Sequence, residues 1–281
     1  DTWHAMGQGA TTGSLVVTLE ALKEMHLTPE DIQLIQNDTK TCPDTGMAGA
    51  SRSLYMDGNA TIIAANKLLA AMRKEDGTLR TYDEMKAEGI ETKYLGRYET
   101  NTTPGLCRLD PNTGIGDPTP AFTYCLNLAE VEVDTKTGKT TVLKFTCVDF
   151  VGRIGNIDAV NGQAYSGIMH GIGFALKEDY ADVKKHANMF GAGTSYIKDV
   201  PDDINLIHID GAISDGPFGS SGASEAFQAS GHCAVLNGIY NACGVRIHEI
   251  PALPEKVKAG LDAIAKGEKP YEPKKYFLGS D

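Results

Sequence analysis

Residues 216–226 read GPFGSSGASEA, a run of small residues that ends in one carboxylate, Glu225, just before an apolar stretch. Two readings fit that arrangement. It is a loop leading into a capped helix, or it is backbone that wraps a ligand and points Glu225 at it. Two further small-residue loops, HAMGQGATTGS (4–14) and TGMAGASRS (45–53), also open onto helical patterns. Glycines let backbone N–H groups approach an anion closely, and a helix N-terminus adds a favourable dipole. Neither loop is a known nucleotide fingerprint. GQGATTG lacks the Lys of the phosphate loop, and it follows no strand with an acid about 20 residues on. A fourth glycine motif, MHGIGF (169–174), falls inside a helical pattern. Taken together, three such cradles suit a large phosphate-bearing cofactor; tight turns alone are the other reading.

The elements that must carry these loops follow from periodicity. Leu15, Leu19 and Leu22 mark an amphipathic helix over 13–26. Thr28 before Pro29 predicts a capped turn, and IQLIQND (32–38) a short strand. A helix is expected over 54–74, ending at Gly77, and a polar, irregular stretch over 76–118. TYCLNLAEVEVDTKTGKTTVLKFTCVDF (123–150) alternates on both sides of a Thr-Gly turn and predicts a hairpin. Ile157, Val160, Ala164 and Ile168 mark a helix over 156–177. After a second irregular stretch, INLIHIDGAI (204–213) predicts a strand, and one helix is expected over 224–242. Val257, Leu261 and Ile264 place a last helix over 254–266. Loop, helix and strand recur twice without a strict βαβ rhythm, so the fold class is α+β: two similar lobes with a hairpin between them.

Composition narrows the function. The 281 residues are 41% hydrophobic, ample for a core, and carry a net charge of −11. Clustered basic residues dense enough to track a phosphate backbone are absent, which disfavours nucleic acid. Apolar runs fall short of a membrane span. The six cysteines (42, 107, 125, 147, 233 and 243) form no C-x-x-C and have core-like neighbours. That pattern predicts reduced, buried thiols and a cytoplasmic compartment rather than an iron–sulfur or zinc site. The opening DTWHAMGQGA and the aromatic-apolar close KKYFLGSD have the look of a piece of a larger protein.

MGQG, AGASRS, MHGIGFALKED and GSSGASEA stand in the order of the molybdenum hydroxylases, the xanthine oxidase and aldehyde oxidoreductase family, and the chain resembles that family over essentially its whole length. The stretch from GPFGSSGASEA to PALPEKVKAGL resembles the C-terminal end of bacterial aldehyde oxidoreductases. The resemblance implies the C-terminal half of a molybdopterin-binding region, with a first lobe over 1–140 and a second, carrying the Glu loop, over 141–281. It implies a molybdopterin cofactor, in the cytosine dinucleotide form, and Glu225 beside its molybdenum as the base. It further implies cofactor contacts from Gly7, Gln8 and Gly9. The segment Ala48, Gly49, Ala50, Ser51, Arg52 and Ser53 would hold the phosphate and nucleotide end, and Ser221, Gly222 and Ala223 would pass close to the cofactor. His170 stands where many relatives have Gln, which leaves one contact open. His4 is either a nucleotide contact or a buried histidine satisfied by backbone. No side chain is expected to ligate the metal, since the cofactor's dithiolene sulfurs do that. The implied reaction is oxidation of an aldehyde to a carboxylic acid with water as the oxygen source. Hydroxylation of an N-heteroaromatic ring (nicotinate or purine type) and a non-catalytic half-site needing a partner are the alternatives. Iron–sulfur domains, the first half of the molybdenum region and a homodimeric whole are implied as partners.

Overall fold

A computed structural model describes residues 4–36, 38–100, 109–116, 118–119, 121–213 and 215–268. Cys107 and the close KKYFLGSD lie outside the described residues. The fold is α+β, and the chain forms two compact units, each built from several separate stretches.

The first unit takes Asp1–Tyr124, Phe150–Val160 and Ile209–Ala223. Its helices are α1 (Ala10–Ala21), α2 (Ser53–Met72) and the short α3 (Tyr82–Ala87). The buried stripe of α1 is Ala10, Ser14 and Val17, not the expected Leu15, Leu19 and Leu22, which are half-buried. Small residues win that face because α1 packs on α2, where Leu54 and Ile62 lie against Ala10 and Val17. The Thr28–Pro29 turn forms as expected: the Asp31 carboxylate accepts from the Thr28 N–H at 2.8 Å and from its hydroxyl at 2.9 Å. The strand expected over 32–38 does not form among the described residues. The irregular stretch after it contains α3, started by a capping box in which Thr81 and Glu84 satisfy each other's backbone N–H.

The second unit takes Cys125–Asp149, Asn161–His208 and Ser224–Asp281. Strands β1 (Tyr124–Val133), β2 (Thr140–Phe150) and β3 (Asp203–His208) form one sheet in that order. β1 and β2 are the expected hairpin, and β3 lies parallel to β2, with Cys147 opposite Leu206 and Asp149 opposite His208. The helices are α4 (Ile157–Leu176), α5 (Ser224–Ala229), α6 (Gly231–Cys243) and α7 (Pro254–Ala265). Phe145, Cys147, Ile168, Ile172, Phe227, Val235, Ile239 and Val257 are buried together as its core. The buried Asp149 carboxylate accepts from His208 Nδ1 at 2.7 Å, and His208 Nε2 meets Asn161 Oδ1 on α4 at 2.8 Å. This chain of polar contacts ties the inner sheet face to α4. Burial pushes the Asp149 carboxyl up, and the imidazole opposes it.

One expected helix is two. The 224–242 pattern breaks at Ser230, between α5 and α6. Ser230 Oγ accepts from Asn127 Nδ2 of β1 at 2.9 Å. A Cβ on Gly171 of α4 would stand 2.9 Å from the Gly231 Cα. Contacts to two neighbouring elements fix the break, which periodicity within the helix cannot report. On α7, Val257 is buried as expected, but Ile264 is exposed.

Candidate functional site

Three small-residue loops belong to the first unit, and the structure brings the second and third into contact. Gly7 and Gly9 have φ of +98° and +90°, the left-handed region that side chains rarely adopt. Gly9 starts α1, and its carbonyl accepts from Gly13 N at 2.9 Å. Between the glycines, the Gln8 amide is engaged by its own loop. It accepts from the Met6 N–H at 2.6 Å and donates to the His4 carbonyl at 2.5 Å. His4 itself is exposed, so the reading of a buried histidine does not hold.

The second loop is strained. Ala50 and Ser51 both sit at left-handed φ, 51° and 53°, which costs a non-glycine residue about 1 kcal/mol or more each. The strain turns the chain into α2, whose cap residue, Arg52, supplies no side-chain cap for the first-turn N–H groups. The Arg52 guanidinium donates instead to the Met47 carbonyl at 3.1 Å, bracing the loop. Ala48, Gly49 and Ser53 are half-buried and Ala50 is exposed.

The third loop locks onto the second. A Cβ on Gly222 would overlap the Ser51 carbonyl, so the two backbones touch. Ser220 is buried and donates to the Arg153 carbonyl at 2.6 Å, and the Ser221 N–H donates to Val151 O at 3.1 Å. α2 holds the same loop from its other side. Asn59 Nδ2 donates to the Asp215 carbonyl at 3.0 Å, and a Cβ on Gly58 would stand 2.7 Å from Pro217 Cγ. The first turn of α2, Arg52 and the 221–223 backbone are therefore held as one assembly.

Asp57, one turn into α2, is a candidate the sequence reading did not name. Burial pushes its carboxyl up to about 6, against the pull of His4 and Arg52. It lines a cleft of about 1770 Å³ in this unit, together with Lys40, Thr45, Thr61, Lys93 and Arg97. A single Asp in a helical pattern looks like part of a solvated face, so nothing local marks it.

Glu225 and His170 belong to the second unit. Glu225 stands in the first turn of α5 and is exposed. Two residues on, Phe227 is fully buried, and a Cβ on Gly167 of α4 would stand 2.6 Å from the Phe227 Cβ. The helix carrying the carboxylate is thus anchored closely on α4. His170 lies beside Phe174 one turn along α4, with ring centroids 6.4 Å apart. The glycines of MHGIGF serve packing: Gly171 meets Gly231, and Gly173 meets the Glu178 and Ser195 side chains.

Known proteins share this fold. Residues 2–201 match the family model for the molybdopterin cofactor-binding domain. The chain is 42% identical over 261 residues to the aldehyde oxidoreductase of Megalodesulfovibrio gigas, covering 93% of this chain and 28% of that protein. It is 28% identical to the probable hypoxanthine oxidase XdhD of Escherichia coli K12, covering 93% of this chain and 29% of the relative. The crystal structure of the aldehyde oxidoreductase from Desulfovibrio desulfuricans superposes with a TM-score of 0.88 at 46% identity, over 92% of this chain and 28% of that one. The chain spans under a third of the length of these relatives. With its family model matched over most of its length and its glycine loops in the family's order, the chain belongs to the molybdopterin cofactor-binding domain family of the molybdenum hydroxylases.

Proposed function

We propose that this chain supplies the cofactor-holding loops and the base of a molybdenum-dependent aldehyde oxidoreductase. The observation that carries the reading is the Gly222–Ser51 backbone contact beside the left-handed Ala50–Ser51 turn and the start of α2. A Cβ would fill that contact, and the first-turn N–H groups of α2 with Arg52 suit a phosphate-bearing group. The residues present therefore fit molybdopterin. Ala48, Gly49, Ala50, Ser51, Arg52 and Ser53 would hold its phosphate end, in a cytosine dinucleotide form. Gly7, Gln8, Gly9, Ser221, Gly222 and Ala223 would approach it through backbone and amide groups, with His4 and His170 as further contacts.

When bound, the cofactor supplies the two-electron redox chemistry. The chain's part is to orient, exclude water and move one proton. A Glu225 carboxylate oxygen accepts a proton from the water that becomes the oxygen of the acid product. Packing of Phe227 on α4 fixes where that oxygen sits within its unit. Because Glu225 is exposed here, its shielding has to come from bound cofactor and substrate. Iron–sulfur domains and the first part of the molybdenum region would be carried by the rest of a longer chain or by partner subunits.

Aldehyde is favoured over an N-heteroaromatic substrate by the identities: 42% to an aldehyde oxidoreductase against 28% to a probable hypoxanthine oxidase. The test is a substrate comparison on the molybdenum-loaded holoenzyme containing this chain. Aldehyde turnover well above that of nicotinate or hypoxanthine is expected. Turnover of the heterocycles alone, or of neither class, would overturn the reading.

A further inference from the structure

Two thiols face each other across the β1–β2 pair. Cys125 Sγ on β1 and Cys147 Sγ on β2 stand 3.4 Å apart, in S–H···S contact. Both face the inner side of the sheet and both are reduced. Their exposures differ: Cys147 is fully buried and Cys125 is half-buried. The Asn127 amide oxygen also accepts from Cys125 Sγ, at 3.7 Å. A disulfide requires the two sulfurs to close from 3.4 Å to about 2.05 Å. Elsewhere, the exposed Cys233 meets the His232 ring.

We propose that Cys125 and Cys147 form a reversible redox-modification site, oxidised by peroxides to a cross-strand disulfide. Cys125, the thiol a peroxide can reach, attacks one peroxide oxygen as its thiolate. The O–O bond breaks, leaving a sulfenic acid on Cys125 and releasing one water. Cys147 then attacks the Cys125 sulfur, the S–O bond breaks, and a second water leaves. Two thiols and one hydrogen peroxide give one disulfide and two waters, with the sulfurs losing the two electrons that the peroxide gains. The Cys147 S–H directed at Cys125 favours the Cys125 thiolate, and its pKa is lowered accordingly. Oxidation would cross-link the strand that carries Asn127, whose amide holds Ser230 at the α5–α6 break.

The test is treatment of the native protein with a small excess of hydrogen peroxide, then alkylation and non-reducing peptide mapping. The expected product is one peptide pair joined through Cys125 and Cys147, with a two-hydrogen mass loss and full reversal by dithiothreitol. Cys147→Ser supplies the second arm: the Cys125 sulfenic acid should persist and label with dimedone, whereas the wild type should label several-fold less. Both thiols alkylating freely after peroxide treatment would overturn the proposal. So would Cys125 advancing to sulfinic acid in the wild type, or equal dimedone labelling of both proteins.

Discussion

At the scale of single residues the candidate site is a problem of charge and backbone shape. Ser51 sits where two loops touch through bare backbone, so a carboxylate there meets any bound phosphate at short range. In the loaded holoenzyme, Ser51→Asp is expected to lower molybdenum content by roughly tenfold or more, since opposed like charges cost several kcal/mol, with circular dichroism unchanged. Molybdenum content at the wild-type level would remove the 48–53 loop from the site. Asp57 gives a pH signature. Its folded pKa of about 6 lies above the ordinary 3.8, so the folded state holds this proton more tightly than the unfolded chain does. The contribution is full below pH 3.8, is lost as pH rises toward 6, and is absent above that. Asp57→Asn should therefore melt higher than wild type at pH 7–8, with the difference shrinking to nothing near pH 4. A pH-independent difference in melting temperature would contradict that environment. Little of this was legible beforehand. Residue type placed the glycines of the loops, but left-handed φ at Ala50 and Ser51 has no marker in the sequence, because neither residue prefers it.

Among the elements, legibility followed how local each cause is. The β1–β2 hairpin was readable because a period of two and a Thr-Gly turn are both properties of adjacent residues. α2 and α4 were readable for the same reason at the helical period. The strand expected over 32–38 failed because a strand needs a partner edge, and an alternating pattern cannot say whether one exists. The α5–α6 break was invisible because Ser230 is held by Asn127, more than 100 residues earlier in the chain, and Gly231 by Gly171. MHGIGF lies inside a helix as expected, and its glycines let helices meet. That packing role is testable. Gly171→Ala drives a methyl into the start of α6 and should destabilise the fold by about 1–3 kcal/mol, the cost of overpacking a close contact, measured by urea unfolding. A stability unchanged within error would contradict that packing role.

For the molecule as a whole, the sheet has one face inside the second unit and one outside. The outer face presents Leu126, Leu128, Leu143 and Ile207, all more than 40% exposed, more apolar surface than single scattered residues explain. Purified alone, the chain should self-associate as concentration rises, and Leu126→Lys with Leu128→Lys should reduce this in sedimentation velocity. A monodisperse monomer at high concentration would show that this face needs no cover. The described helices include none long and apolar enough to cross a membrane, and the net charge of −11 does not favour attraction of polyanions. The proposed function converges on one carboxylate. In the assembled, molybdenum-loaded enzyme, aldehyde oxidation per bound molybdenum should be measured for wild type and Glu225→Gln, with melting temperature and molybdenum content recorded for both. Gln keeps the size of the side chain and removes the proton acceptor, so cofactor content should stay near normal while turnover falls by roughly 10²–10⁴-fold, the contribution typical of a general base. A fully loaded Glu225→Gln enzyme that is merely less stable, and turns over at the wild-type rate per molybdenum, would make Glu225 a helix-terminus residue and contradict its assignment as the base.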